Sequence, residues 1–296
     1  MSTIRVSGLS SQTHSSRSRD KNKLKVHRFI GLALGGGKND RTALSVLDYY
    51  PSQNKLFLTH TYEHIQQEEN VSADQILLDI IAEHKENLEF ISINAPLTMP
   101  KCVTCRLTCP GYENCKEKEI VWMWKQHAKY KKKKKRVKLF TPYTQRAAEM
   151  YIASELEAEF HPQEALGSNM APLTARAQYL LKRLPKGKLM EIFPKLSVSR
   201  IGQSLKLNRS HLDHYKHQVG GVESRQIFLQ ALLKRDIVFI YQQDFQKLID
   251  NINSFDSFIA AFTGFLKFKD QCEEIPKDFP KGEGWIDFPV RNPELF

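Results

Sequence analysis

Apolar positions along the chain fall into short blocks whose spacing switches between strand-like and helix-like periods. Phe29–Leu34 is a nearly continuous apolar run that ends in Gly35-Gly36-Gly37, the pattern of a buried strand entering a tight turn. Thr42–Tyr50 and Lys55–Thr61 predict two more strands, separated by the turn-forming Pro51-Ser52-Gln53-Asn54. Connections this short make the three strands antiparallel neighbours. Ser72 and Gln75 have the spacing of a capping box, and Ile76, Leu77, Ile80 and Ile81 then form one apolar stripe, predicting a helix to about His84. Leu88–Asn94 is a further buried strand, ended by Pro96. Helical periods recur over about 117–130, 143–158, 173–184, 222–234 and 255–268. Strands are predicted at Lys188–Phe193, stopped by Pro194, and at Ile237–Tyr241. The Pro- and Gly-rich stretch 275–296 holds one short extended piece, Trp285–Phe288. Three antiparallel strands followed by helix–strand units, with helices over the sheet faces, is an α/β layer architecture.

Composition sharpens this picture. With 41% hydrophobic residues in 296, the chain has material for a full core, which excludes a disordered protein. No apolar run reaches the roughly 18 residues of a membrane-spanning helix. The N-terminus is polar, without an apolar leader, so the expectation is a cytoplasmic protein with no membrane partner.

The net charge of +11 favours an anionic partner, and it is unevenly spread. Residues 1–28 carry seven basic side chains against Asp20, together with seven serines and no apolar period. They read as a disordered basic tail ahead of a single domain over 29–296. Residues 120–148 carry ten basic side chains and no acid, which leaves a net of −5 for the rest of the chain. Localised patches of this kind point to basic arms or grooves for nucleic acid rather than a uniformly basic surface. The run Lys131, Lys132, Lys133, Lys134, Lys135 and Arg136 is the leading candidate, with a solvated helix end as the plainer alternative. Trp124 lies just before it, among Val121, Trp122, Lys125, His127 and Lys129. Aromatics interleaved with cations either stack on bases or pack the local core. Arg176 is either a phosphate ligand or part of the polar face of its helix. His211, His214 and His217 share helical spacing, a weaker metal candidate.

Four of the five cysteines fall within fourteen residues: Cys102, Cys105, Cys109 and Cys115. In a reducing compartment such a cluster predicts metal rather than disulfides, because a soft cation offsets the crowding of thiolate charge. The first spacing suits structural zinc. An iron–sulfur centre is the alternative, although the later spacings depart from the ferredoxin pattern. Cys272 stands apart and reads as a packed side chain.

Four ordered stretches remain: Gly31-Leu-Ala-Leu-Gly-Gly-Gly37, Ile91-Ser-Ile-Asn-Ala-Pro-Leu97, Glu191-Ile-Phe-Pro194 and Phe255-Asp-Ser-Phe-Ile-Ala-Ala-Phe-Thr263. Together they resemble the family called domain of unknown function four-two-nine, over roughly residues 29–290. The Cys-rich insert, about 100–140 with its basic helix, looks like one branch of that family. The resemblance implies a ribonuclease H-like mixed sheet, three antiparallel strands plus parallel ones, flanked by helices. It also implies a predicted nuclease whose converging carboxylates hold Mg²⁺ or Mn²⁺ for in-line attack on a phosphodiester. Carried over by position, the family's acids fall on Ala33, Asn94, Glu191 and Asp256. Two of the four are therefore not carboxylates here, which lowers the negative charge available to a divalent ion.

Asp40, beyond the glycine turn, is a possible substitute, with an ordinary turn residue as the alternative. The turn itself lacks the glycine spacing of a Walker loop. Two readings follow: a divalent-metal-dependent nuclease using Glu191, Asp256, Asn94 and Asp40, or a catalytically inactive module of the same fold that binds nucleic acid and carries a structural zinc site. A sugar-kinase or actin relative ranks below both, since such proteins need two copies of the core.

Overall fold

The computed structural model describes residues 25–36, 41–133, 139–156 and 162–295. The three predicted N-terminal strands form as β1 (His27–Ala33), β2 (Ala43–Tyr50) and β3 (Lys55–Tyr62), each antiparallel to the next. Helix α1 (Ala73–Glu83) then crosses to β4 (Leu88–Ile93), which pairs parallel with β1. The insert follows, with the single turn α2 (Lys101–Thr104) and the long α3 (Lys118–Lys133). After it come α4 (Ala147–Glu155), α5 (Met170–Leu180), β5 (Leu189–Ile192), α6 (Pro194–Ser204), α7 (Arg209–His214) and α8 (Gly221–Lys234). The chain closes with β6 (Val238–Phe239), α9 (Gln242–Asp250), α10 (Ile252–Phe268) and β7 (Ile286–Asp287). The seven strands form one mixed sheet in the order β6-β3-β2-β1-β4-β5-β7. β1, β4, β5 and β7 all run the same way, so their carboxyl ends share one rim. Among the described residues no helix is long and apolar enough to cross a membrane.

The near-continuous apolar character of β1 has a simple cause: both faces of the sheet are covered. Ile30, Leu32 and Leu34 enter a core with Leu77 and Ile81 of α1 and Leu173, Ala177 and Leu180 of α5. Phe29 points the other way, its ring centroid 5.8 Å from that of Phe265 on α10. Helix α10 lies almost in contact with the sheet backbone. A Cβ on Gly31 would stand 1.9 Å from the Ser257 carbonyl oxygen and 2.3 Å from the Ala261 nitrogen. The small residues Ser257, Ala260 and Ala261 make this approach possible, and the Ser45 and Ser257 hydroxyls hydrogen-bond across it at 2.7 Å. A third core joins the insert to the body: Ile120, Trp122 and Met123 of α3 pack with Ala147, Ala148 and Ile152 of α4 and with Phe279, Ile286 and Phe288 near the C-terminus.

Helices α6, α7 and α9 were not anticipated. Pro194, which ends the predicted strand, also opens α6, where its missing N–H leaves no helical hydrogen bond unmade. The expected capping box forms by half. The Ser72 hydroxyl accepts the Gln75 N–H at 3.2 Å, while the Gln75 side chain turns to Asp79 at 2.7 Å. α4 is shorter than its apolar period because Arg146 takes an extended conformation (φ −110°, ψ 164°) and caps it.

Candidate functional site

The first of the four positions that the resemblance singles out is Ala33, the last residue of β1, 1% exposed. Asn94 lies just beyond β4. Its N–H donates to the Leu32 carbonyl at 3.1 Å, and its Oδ1 accepts the Leu34 N–H at 2.7 Å. The side chain therefore joins the ends of β1 and β4, and its oxygen is already engaged by the backbone.

Glu191 sits on β5, opposite Ile93 of β4 and Ile286 of β7. It is 5% exposed and held in a bidentate pair with Arg146, at 2.5 Å from Oε1 and 2.8 Å from Oε2. Its Oε2 also accepts the Leu97 N–H at 2.8 Å. Arg146 is itself only 1% exposed. Its Nε donates to Glu149 Oε1 at 2.8 Å, and its backbone N–H donates to Glu149 Oε2 at 2.9 Å. Nη1 reaches the Thr98 hydroxyl at 3.1 Å. Burial works against the charge on Arg146, but the Glu191 and Glu149 carboxylates outweigh it and keep the guanidinium protonated. Burial pushes the Glu149 carboxyl up, against the pull of Arg146.

Asp256, in α10, is 3% exposed. Its Oδ2 pairs with Lys216 Nζ at 2.6 Å, and its Oδ1 accepts the Tyr215 hydroxyl at 3.1 Å. Burial and the adjacent Asp256 push the Tyr215 hydroxyl well above its ordinary value, so it remains a donor. The N-terminal cap of α10 is Asn251, whose side chain accepts the N–H groups of Asn253 and Ser254.

Asn94, Arg146, Glu149, Gln163, Glu191, Lys195 and Lys216 supply the polar lining of one cavity of about 330 Å³ at the carboxyl rim of the sheet. That is the place where open α/β sheets seat their ligands. Asp256 does not line it but is linked to it through Lys216. Glu191 and Asp256 thus each meet a cation of the chain itself. A divalent ion needs carboxylate oxygens left open to it. Among the described residues no three His, Cys, Asp or Glu side chains are grouped to hold one ion. The residues present do not fit a Mg²⁺ or Mn²⁺ centre. Asp40 lies outside the described residues.

The basic helix separates into two faces. Trp122 and Met123 are buried, and the Trp124 indole N–H donates to the Tyr112 carbonyl at 3.2 Å with its ring 4.1 Å from that of Phe140. Trp122 and Trp124 therefore pack the insert. Lys118, Lys125 and Lys129 face solvent, and Lys129 pairs with Glu155 at 2.9 Å. The backbone of Lys131, Lys132 and Lys133 continues α3, while Lys134, Lys135 and Arg136 lie outside the described residues. Arg176 is engaged internally. It pairs with Asp74 of α1 at 2.7 Å and donates to the Gly35 carbonyl at 2.5 Å and the Thr42 hydroxyl at 2.9 Å, clamping the β1–β2 turn to α1. His214 and His217 have ring centroids 4.6 Å apart, and His214 Nδ1 meets the Ser210 carbonyl at 2.5 Å.

Cys102, Cys105, Cys109 and Cys115 all line a second cavity, of about 340 Å³. All are free thiols, three half-buried and Cys109 exposed. Burial first, then the thiols of Cys115, Cys109 and Cys105, push the Cys102 thiol up to about 11. Cys272 is buried elsewhere, its Sγ 3.8 Å from the Thr263 carbonyl.

Arg146, Glu149, Tyr215 and Lys216 were missed by sequence reasoning. Only the Arg146–Glu149 spacing carried a local signal, that of an N-cap and its N3 acid. The partners of Glu191 and Asp256 lie 45 and 40 positions away in the chain, where no spacing rule reaches. No family model, curated protein or solved structure matches the chain.

Proposed function

We propose that this chain is a ribonuclease H-like nucleic-acid-binding protein that does not hydrolyse phosphodiesters by a divalent-metal mechanism. The mixed sheet, with β1, β2 and β3 antiparallel and β4 and β5 parallel to β1, supports this reading. The solvent face of α3, leading into the lysine run, supplies localised positive charge for a phosphate backbone. The observation that carries the reading is the pairing of both remaining family acids, Glu191 with Arg146 and Asp256 with Lys216, beside Ala33 and a backbone-bound Asn94. Internal cations then do the charge balancing that metals perform in a nuclease of this kind.

Contacts to phosphate give affinity without sequence preference. Fluorescence anisotropy with labelled single- and double-stranded DNA and RNA is therefore expected to show binding that weakens steeply with salt. Parallel incubations with Mg²⁺ or Mn²⁺ are expected to show no cleavage. Metal-dependent cleavage that disappears in Glu191→Gln and Asp256→Asn would restore the nuclease reading, and absence of binding to all four probes would remove the nucleic-acid partner.

A further inference from the structure

We propose that residues 282–287, which lead into and form β7, act as a pH-sensitive latch: the segment closes on the Arg146 ion group while Glu283 is protonated and is released when that carboxyl ionises. The closed segment has no slack. A Cβ on Gly282 would stand 2.9 Å from Glu119 Oε1, and one on Gly284 would stand 2.5 Å from the Thr98 hydroxyl oxygen. That hydroxyl is the one that accepts from Arg146 Nη1. Glu283, between the two glycines, is carried against the same ion group. Both of its carboxyl oxygens are closed off from water, and neither has a hydrogen-bond partner among the described residues. An ionised carboxyl in that position is an unmatched buried charge, whereas the neutral acid is not.

The guanidinium cannot supply the missing donor. It has five N–H groups. Nε binds Glu149, and Nη1 binds Glu191 and the Thr98 hydroxyl. Nη2 lies 2.5 Å from Glu191 Oε1 and 2.7 Å from Glu149 Oε1. Glu283 is thus a third acid around one cation whose donors are already engaged. The other groups facing it come from the insert and from α4. Glu149 and Glu119 disfavour its charge, while Arg146 and the nearby Ala147 N–H favour it. Glu119 is itself 3.6 Å from the Lys101 ammonium. The Cys102 thiol, also within the field of Glu283, is pushed up to about 11, first by burial, and stays neutral. Burial dominates at Glu283 and pushes its carboxyl from the ordinary 4.5 up to about 7. Ile286, on the same segment, lines the rim cavity, and Trp285 packs on Tyr151 and Phe279. Release therefore opens that cavity and uncovers aromatic surface.

In the released segment Glu283 ionises at its ordinary value, so ionisation favours release. The latch is tightest below about pH 4.5, its hold weakens as pH rises, and the loss is complete above about pH 7. The measurement is hydrogen exchange of the full chain by mass spectrometry from pH 5 to 8.5, with rates corrected for the intrinsic pH dependence of exchange. Opening of the 282–287 segment is expected to rise about tenfold per pH unit up to about pH 7, and then to level off. Glu283→Gln, neutral and of similar shape, is expected to show no such rise. No rise in the native chain, or the same rise in Glu283→Gln, would overturn the proposal. A carbon-13 titration of the native chain's glutamate carboxyls needs no variant to fold: Glu283 is expected to titrate near 7, and titration near 4.5 would overturn the latch.

Discussion

Removing one member of a buried ion group leaves the others unmatched, at a cost of about 3–5 kcal/mol. Arg146 faces two buried carboxylates, Glu149 and Glu191, so Arg146→Met is expected to lose stability of that order in urea unfolding. A triple replacement, Arg146→Met with Glu149→Leu and Glu191→Leu, is expected to recover much of it, since apolar groups of similar volume tolerate the same site. His84 gives a pH-dependent case. It is 7% exposed and bonded to the Tyr62 hydroxyl at 2.9 Å; burial, then His60, lowers its proton affinity below the ordinary 6.5. The unfolded imidazole therefore takes up its proton first as pH falls. Its contribution is present above about pH 6.5 and is lost below it. Thermal melts between pH 5 and 7.5 are expected to show that loss in the native protein and a flatter profile in His84→Gln. At this scale Glu191 and Asp256 became candidates only through the resemblance, because an acid at a strand end or near the start of a predicted helix is by itself an ordinary residue. Their neutralisation was not legible, because it depends on which cations the fold delivers from distant positions.

Among the elements, the closest approach is that of α10 to β1. Gly31→Ala would drive a methyl group into the Ser257 carbonyl, a backbone atom that cannot rotate away. The expected destabilisation is about 3 kcal/mol or more. Gly187, at φ +80° with open space around its Cβ position, is expected to cost only about 1–2 kcal/mol on the same change. Comparing the two unfolding midpoints separates steric contact from backbone strain. Elements with strong apolar continuity, such as β1, β2, β4 and α10, were readable from the chain alone. α6 was hidden behind Pro194, which signals the end of a strand and the start of a helix with the same residue. α9 carries only Phe245, Leu248 and Ile249 as large apolar residues in its nine positions, too sparse a stripe to stand out between charged neighbours.

For the whole molecule, the charge imbalance is concentrated along and beyond α3, while the acids of the rim are matched internally. Replacing Lys131, Lys132 and Lys133 together by alanine is expected to weaken duplex binding and make the log–log salt slope shallower by about 2–3. The change should be equal for unrelated sequences, since phosphate contacts carry no base information. The layered α/β architecture was legible because strand order follows from short antiparallel connections and long helical crossovers. The third core, uniting the insert with the C-terminal aromatics, was not, because it joins segments more than a hundred residues apart. The Arg146 clasp also sets how this chain can change. Installing aspartates at positions 33 and 94 would not by itself create a seat for a divalent ion. The guanidinium and the Lys216 ammonium would still hold the other two oxygen donors. A metal seat here would take several coordinated replacements, with the least stable proteins lying at its intermediate steps.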